Sequence, residues 1–416
     1  MLDEAPVAQA RTDHRPTLFT PAFVALTLAS LAYFTAAGML IPALPRHVTG
    51  VLGGGDVAVG VVVGTFSVSA VLLRPAAGVY GDRRGRRPLM LAGAMVAATS
   101  ILAYGLAASP AVLAMMRLVT GAGEALFFVG MLTTFSDLAP PERRGEAMSL
   151  ASLSLYLGIG IGPVVAETLV DRAGFTAVWV AAAGVTLLGA VLVTRVPETG
   201  QHAGDRPAQR TRPRLVHPAG ILPGLVLLAS IVGMAGFLAF VPLHVLDLGM
   251  GGAGRVLAVF AGVVVLVRSV GARLPDLLGP ARAIRAALSL SVVGLAVVGL
   301  LPSPGGLLVG TVVLATGVAL LTPSVFAVAA AAVPARERGQ VMATTSAFID
   351  IAFGLGPVAM GLVAAAAGRP AVFFAGAAAA AAGLVLVTIR PPWSPAPAPA
   401  TRTRRVRPAR NRQGVQ

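Results

Sequence analysis

The chain contains no cysteine and no lysine, and aromatic residues make up only 5% of it. Without cysteine, disulfides, thiolate metal sites and cysteine nucleophiles are excluded. The five histidines are scattered and show no metal-ligand spacing such as HExxH. A GxxxxGKS/T phosphate loop is also missing, so nothing points to ATP hydrolysis. No metal, no cofactor and no enzymatic activity are expected. Charge is scarce as well: 12% of the 416 residues are charged, against 56% hydrophobic. A soluble domain of this length would need far more charge to cover its surface.

What the chain does have is apolar runs. Runs of about 18 residues or more read as membrane helices, and here there are about twelve, with a mean hydropathy of +0.83. The net charge of +15 raises nucleic acid as a partner. Its distribution argues against that, because the arginines sit in alternate gaps between apolar runs and in the final segment TRTRRVRPARNRQ. Asp3 and Glu4 open the chain where a cleavable signal peptide would be positive, and the first apolar run is too long for a signal core. That run is read as a retained helix.

The predicted helices are 21–44, 57–80, 88–108, 110–136, 146–169 and 175–194, then 219–243, 256–274, 283–301, 305–333, 341–366 and 370–389. They divide the chain into an N-terminal segment 1–20, a six-helix bundle 21–194, a Pro/Arg-rich linker 195–218, a second bundle 219–390 and an Arg/Pro-rich disordered tail 391–416. The arginine-rich gaps carry Arg83, Arg84, Arg86 and Arg87, then Arg143 and Arg144, the linker arginines, Arg282, and Arg336 with Arg338. By the positive-inside rule these gaps and both termini are cytoplasmic, in a multi-pass protein of the inner or plasma membrane.

The halves repeat. A shift of 194 positions brings Arg74 onto Arg268, Asp82 onto Asp276, Gly85 onto Gly279, Gly160 onto Gly354, and Gly162–Pro163 onto Gly356–Pro357. Two similarly oriented six-helix halves are the parallel-repeat architecture of one transporter class. The fold expected is all-α and integral to the membrane, with twelve transmembrane helices in two pseudo-symmetric six-helix bundles.

Three motifs carry a family resemblance over nearly the whole chain. Gly78-Val-Tyr-Gly-Asp82-Arg83-Arg84-Gly85-Arg86-Arg87 resembles the loop 2–3 signature G-x-x-x-D-R-x-G-R-R of the major facilitator superfamily. RLVTGAGEA at 117–125 is similar to that superfamily's helix 4 signature, with an intramembrane arginine. GIGIGPVVAE at 158–167, containing Gly158, Gly162 and Pro163, is similar to the helix 5 antiporter signature, although Ala166–Glu167 replaces its final glycine pair. GMLIPALP at 38–45 adds a likeness to twelve-helix drug/proton antiporters. The resemblance implies alternating access by a monomer whose cytoplasmic helix ends meet and part.

A solute path can run only inside the bundles, because lipid-exposed backbone must satisfy itself. A carboxylate near a helix N-terminus gains about 0.3–1 kcal/mol. If the halves pack as the resemblance implies, Asp82 is expected to latch onto the start of helix 11 near Gly339 and, by the pseudo-twofold, Asp276 onto the start of helix 5 near Gly145. Arg83, Arg86 and Arg87 would supply charge partners, while Arg74 and Arg268 are read as gate or snorkelling residues. The alternative is that these arginines only fix topology. The glycines of helix 5, and their counterparts Gly354, Gly356 and Pro357 in helix 11, permit close packing. That packing serves either plain helix association or a seal against helix 8 of the other half.

Ionisable residues inside membrane helices are functional candidates. A carboxyl group buried without a partner exchanges its proton nearer neutral pH, so Glu124, Asp350 and Glu167 are candidate proton carriers. Arg117 lies seven residues before Glu124, on the same helix face but roughly 10 Å away along the axis. It is expected to share a polar cavity with Glu124 or to bind an anion. The competing reading holds Glu124 and Asp350 as fixed partners of arginines. Phe34, Phe127, Tyr156, Phe348 and Phe353 are candidates for an apolar pocket.

The expected function is export of a small organic molecule in exchange for protons. Uptake of a sugar or organic anion, with Arg117 as the anion site, and a non-transporting sensor or scaffold are the alternatives.

Overall fold

A computed structural model describes residues 18–199, 216–271, 277–334 and 337–389, and its regular structure is helical. The helices are α1 (Pro21–Gly50), α2 (Asp56–Arg84), α3 (Arg86–Ala103), α4 (Pro110–Leu138), α5 (Arg144–Val193), α6 (Pro218–Asp247), α7 (Gly254–Val270), α8 (Pro280–Leu300), α9 (Pro304–Ala331), α10 (Arg338–Ala367) and α11 (Arg369–Ile389). Among the described residues eleven long helices make twelve crossings, because the predicted fifth and sixth fuse into the 50-residue α5. Gly174, at φ 77° and ψ −178°, is the only non-helical residue at that junction. A φ in this region comes cheaply to glycine alone, so one residue turns the chain where a loop was expected. The N-terminal segment, most of the linker, the C-terminal tail and Asp276 lie outside the described residues.

The 194-residue repeat is written into the helix ends. Ser109–Pro110 and Ser303–Pro304 stand 194 apart and start α4 and α9. In both, the serine hydroxyl accepts a backbone N–H of the first turn, and proline occupies a position that needs no N–H donor. Gly85 and Gly279, and likewise Gly174 and Gly368, are 194 apart and share positive φ. Equivalent sequence positions thus make equivalent turns.

α1–α5 form one bundle and α6–α11 the other. They meet where α2 packs on α10, where the first arm of α5 packs on α7, and where α1 passes α6. One buried apolar cluster belongs to the second bundle, and another to the arginine-rich end of the first. A third, at the opposite end, is shared: Met39, Leu40 and Leu44 of α1 lie in it with Phe240 and Leu243 of α6 and Met360 of α10. Large apolar side chains such as Leu72, Leu106 and Leu355 are left exposed, as suits a protein surrounded by lipid.

Candidate functional site

The polar chemistry of the interior concentrates between the bundles. α2 carries Arg74 just before Pro75, which interrupts that helix's hydrogen-bond ladder. One arm of the Arg74 guanidinium reaches across the interface to Asp350 Oδ2 on α10. The other arm lies 3.3 Å from Glu124 Oε1 on α4, and the guanidinium plane sits over the Phe128 ring, 4.9 Å from its centroid. Glu124 Oε2 and Arg74 Nε are buried and have no hydrogen-bond partner among the described residues. With both acids ionised the triad carries a formal net charge of −1. The arginine named in the sequence as a gate residue is thus the cation that joins two of the three candidate proton carriers, Glu124 and Asp350.

The same place in the second repeat is built differently. Arg268 on α7 also crosses the interface, donating from Nη1 to Ser152 Oγ (2.6 Å) and from Nη2 to Tyr156 Oη (3.4 Å) on α5. Its guanidinium lies 4.7 Å from the Tyr156 ring centroid. Tyr156 occupies the position equivalent to Asp350. Two cations therefore face two carboxylates in one seat and two hydroxyls in the other.

Arg117 is not part of the triad. It is buried, donating from Nε to the Val62 carbonyl (3.2 Å) and from Nη1 to Tyr104 Oη (3.4 Å), with Phe66 under its guanidinium at 4.6 Å. Tyr104 Oη and Ser100 Oγ both hydrogen-bond Thr120 Oγ1, completing a polar cluster inside the first bundle. Arg117 and Glu124 make no direct contact with each other, because they meet α2 at different levels of it. Arg117 meets Val62 and Phe66 there, whereas Glu124 meets Arg74.

The two ends of the interface differ. At the end away from the arginine-rich loops, Glu167 of α5 accepts the backbone N–H groups of Ala253 and Gly254 (2.6 Å to the latter) at the start of α7. This clasps the first bundle to the second through a helix N-terminus. Arg369 of α11 pairs there with Asp56 at the start of α2 (3.1 Å) and with Asp247 at the end of α6 (2.6 Å). Close backbone approach completes the seal: a Cβ on Gly361 would lie 2.7 Å from the Asp56 carbonyl oxygen, and one on Gly60 or Gly64 would fall onto the α10 backbone.

At the arginine-rich end Asp82 is 63% exposed and pairs with Arg86 of its own bundle at 3.5 Å. A Cβ on Gly339, at the start of α10, or on Gly145, at the start of α5, would meet nothing within 4 Å. Asp82 thus meets Arg86 rather than the start of α10 in this structure. The loop is held instead from within its bundle. Glu198 accepts the N–H groups of Arg86 (2.7 Å) and Arg87 (3.2 Å), and Arg86 pairs with Asp137. Gly85 ends α2 at φ 102°, directly beside the Glu198 carboxylate. Gly78 is unobstructed, and Arg83 is exposed.

The remaining expected residues divide. Gly158 and Gly162 pack on Phe34, Thr35, Gly38 and Met39 of α1, within the bundle, and Gly356 packs on Val232 and Ala235 of α6 in the equivalent way. It is Gly160 and Gly354 that face the other half, at Ala261 and Ser67. The Pro357 carbonyl lies against Gly60. Phe127 is fully buried, stacked on Tyr33 at 4.0 Å, and so lines no cleft. Phe34 is nearly as buried and meets Tyr33 and Phe128 edge-on. Phe348 fills the notch at Gly224 of α6, and Phe353 packs on the core of the second bundle. Of the five, Tyr156 stands at the interface with a polar partner.

Twelve apolar crossings in two repeated bundles, with charge bridging the seam between them, define a multi-pass membrane carrier. Comparison with known proteins gives the family: the Major Facilitator Superfamily profile matches residues 26–308 and 276–413, and the chain belongs to that superfamily. An uncharacterised MFS-type transporter of Salmonella typhimurium is 28% identical over 373 residues, covering 87% of this chain and 94% of its own. One of Burkholderia mallei is 29% identical over 400 residues, covering 92% and 94%. Among solved structures, the nucleoside transporter NupG superimposes with a TM-score of 0.74 at 12% identity, covering 88% of this chain and 99% of its own. A bacterial homologue of Spinster, inward-facing and unoccupied, gives 0.72 at 17%, covering 90% and 98%. The protein is a secondary transporter that carries a small molecule.

Proposed function

We propose that this transporter exports a small organic molecule from the cytoplasm across the inner membrane in exchange for protons, with both termini cytoplasmic. The structure would then represent its cytoplasm-facing state. The observation that carries this reading is the Arg74 bridge, because it ties a proton-binding acid of each bundle to one cation at the moving seam. A buried site of net charge −1 is costly to occlude in a low-dielectric interior, and one bound proton brings it to zero. Proton loading therefore favours closure of the interface around the triad. Opening on the cytoplasmic side then lets the proton leave to water there. In the outward-facing state Asp82 moves from Arg86 to the start of α10, where a Cβ on Gly339 meets nothing within 4 Å among the described residues. The arginine-rich distribution supports the orientation, and the helix 5 signature supports antiport.

The test is transport by the purified protein in oriented proteoliposomes with a trapped pH dye. Substrate-dependent proton movement opposite to solute flux supports the reading. Parallel movement of proton and solute identifies uptake, and solute flux that never moves protons removes coupling altogether.

A further inference from the structure

We propose that Arg268, Ser152 and Tyr156 form an oxyanion subsite that takes a carboxylate or other anionic group of the transported solute. This rests on the reading of the interface as the transport path and adds a substrate class to it.

The argument begins with the repeat. Arg74 and Arg268 hold equivalent positions, and both cross the seam. At Arg74 the opposite bundle supplies Asp350 and its own bundle supplies Glu124. At Arg268 the equivalent positions are Tyr156 and Val318, so both carboxylates are replaced by groups without charge. A cation among membrane helices is expensive unless it is paired or hydrated. Among the described residues it has two neutral hydroxyls and an aromatic face. Arg268 Nε is buried and has no hydrogen-bond partner among the described residues, which leaves part of the guanidinium fork unused there. A guanidinium presents donors that match a carboxylate or phosphate bidentately. The hydroxyls of Ser152 and Tyr156, which accept from Arg268 now, can turn to donate to the same anion. Space adjoins the group: Ser149, Leu153, Val265 and Ser269 line a small cavity with Arg268 and Tyr156.

Arg117, a buried arginine with no carboxylate partner among the described residues, is less suited. A backbone carbonyl, a tyrosine hydroxyl and a phenylalanine ring enclose it inside one bundle, away from the seam.

The experiment measures binding to the purified full-length protein in uncharged detergent, by thermal stabilisation. The probes are a set of small aryl carboxylates, sulfonates and phosphate monoesters, each matched to its uncharged amide or ester. The subsite predicts that anions stabilise and their neutral partners do not. Arg268→Gln is expected to weaken anion binding at least tenfold, Arg268→Lys less, and Tyr156→Phe by a few fold. Loss of binding in Arg117→Gln with retention in Arg268→Gln overturns the assignment. So does preference for neutral or cationic probes, or failure of every anion to bind. A second arm adds phosphatidylglycerol. If only the lipid stabilises the protein through Arg268, the anion is a headgroup and the solute assignment is overturned. Proton-driven rearrangement of the wild-type protein is read separately. Anion binding without that response keeps the subsite and removes proton coupling, whereas the reverse keeps coupling and removes the subsite.

Discussion

Arg74 and Arg268 stand 194 positions apart at the same place in the two repeats, and each reaches from its own bundle into the other. The backbone symmetry is retained while the charge around it is not. Among the described residues one seat holds two acids and the other none, which under the proposed mechanism would let proton and solute bind as separate events.

Replacing the bridging cation exposes its role directly. Arg74→Gln leaves Glu124 and Asp350 without the cation between them, and proton-driven transport in proteoliposomes is expected to fall by more than about tenfold. Arg74→Lys retains charge but loses the two-armed geometry, so it falls between. Asp350→Asn and Glu124→Gln should abolish the response to a pH gradient. Full proton-linked flux in both would show that the acids only anchor the arginine.

Glu167 closes the end opposite the arginine-rich loops. Glu167→Gln keeps the size of the side chain and removes the charge that caps α7. A charge-assisted hydrogen bond contributes about 1.5–3 kcal/mol, so the population with that end parted should rise roughly tenfold or more. Because the chain has no cysteine, Val51→Cys and Gly251→Cys can be spin-labelled without background. An unchanged distance distribution would deny Glu167 this role.

The glycine contact between α2 and α10 makes a steric prediction. A methyl group on Gly361 lands on Asp56 and Val57, and forced overpacking costs about 1–3 kcal/mol. Gly361→Ala should therefore favour the state in which these ends separate, as seen in the same labelled pair. Gly184→Ala meets open space and should leave the distances as they are.

Asp82 and Glu198 separate two functions of one loop. Glu198→Ala removes the acceptor of two α3 N–H groups, and loss of such a cap costs about 0.5–2 kcal/mol. The melting temperature should drop by a few degrees. Asp82→Asn should leave the melting temperature of this state unchanged, given its exposure, yet reduce the outward-facing population. If Asp82→Asn changes neither, the loop serves only to fix topology.

The crossings, the repeat and the three motifs follow from periodicity and spacing, because they are properties of contiguous segments. The partners of Arg74 and Glu167 do not. Arg74 and Asp350 are 276 positions apart, and no spacing rule pairs residues on separate helices. Arg117 and Glu124 illustrate the limit. Their seven-residue interval correctly keeps them from pairing, but it says nothing of which level of α2 each will meet. Phe127 was eligible for a pocket by hydrophobicity alone, and only its stacking on Tyr33 assigns it to the core. Glu198 lies beyond the last predicted helix of its bundle, where a sequence pattern offers no reason to fold back.

The single-residue corner at Gly174 leaves no slack between the two arms of α5. Tilting the arm that carries Glu167 must drag its continuation along, so any rocking of the seam is delivered to the lipid-facing rim as one rigid elbow. A few flexible residues spliced in at that corner would uncouple the arms, and carriers so altered should still insert and bind while turning over slowly.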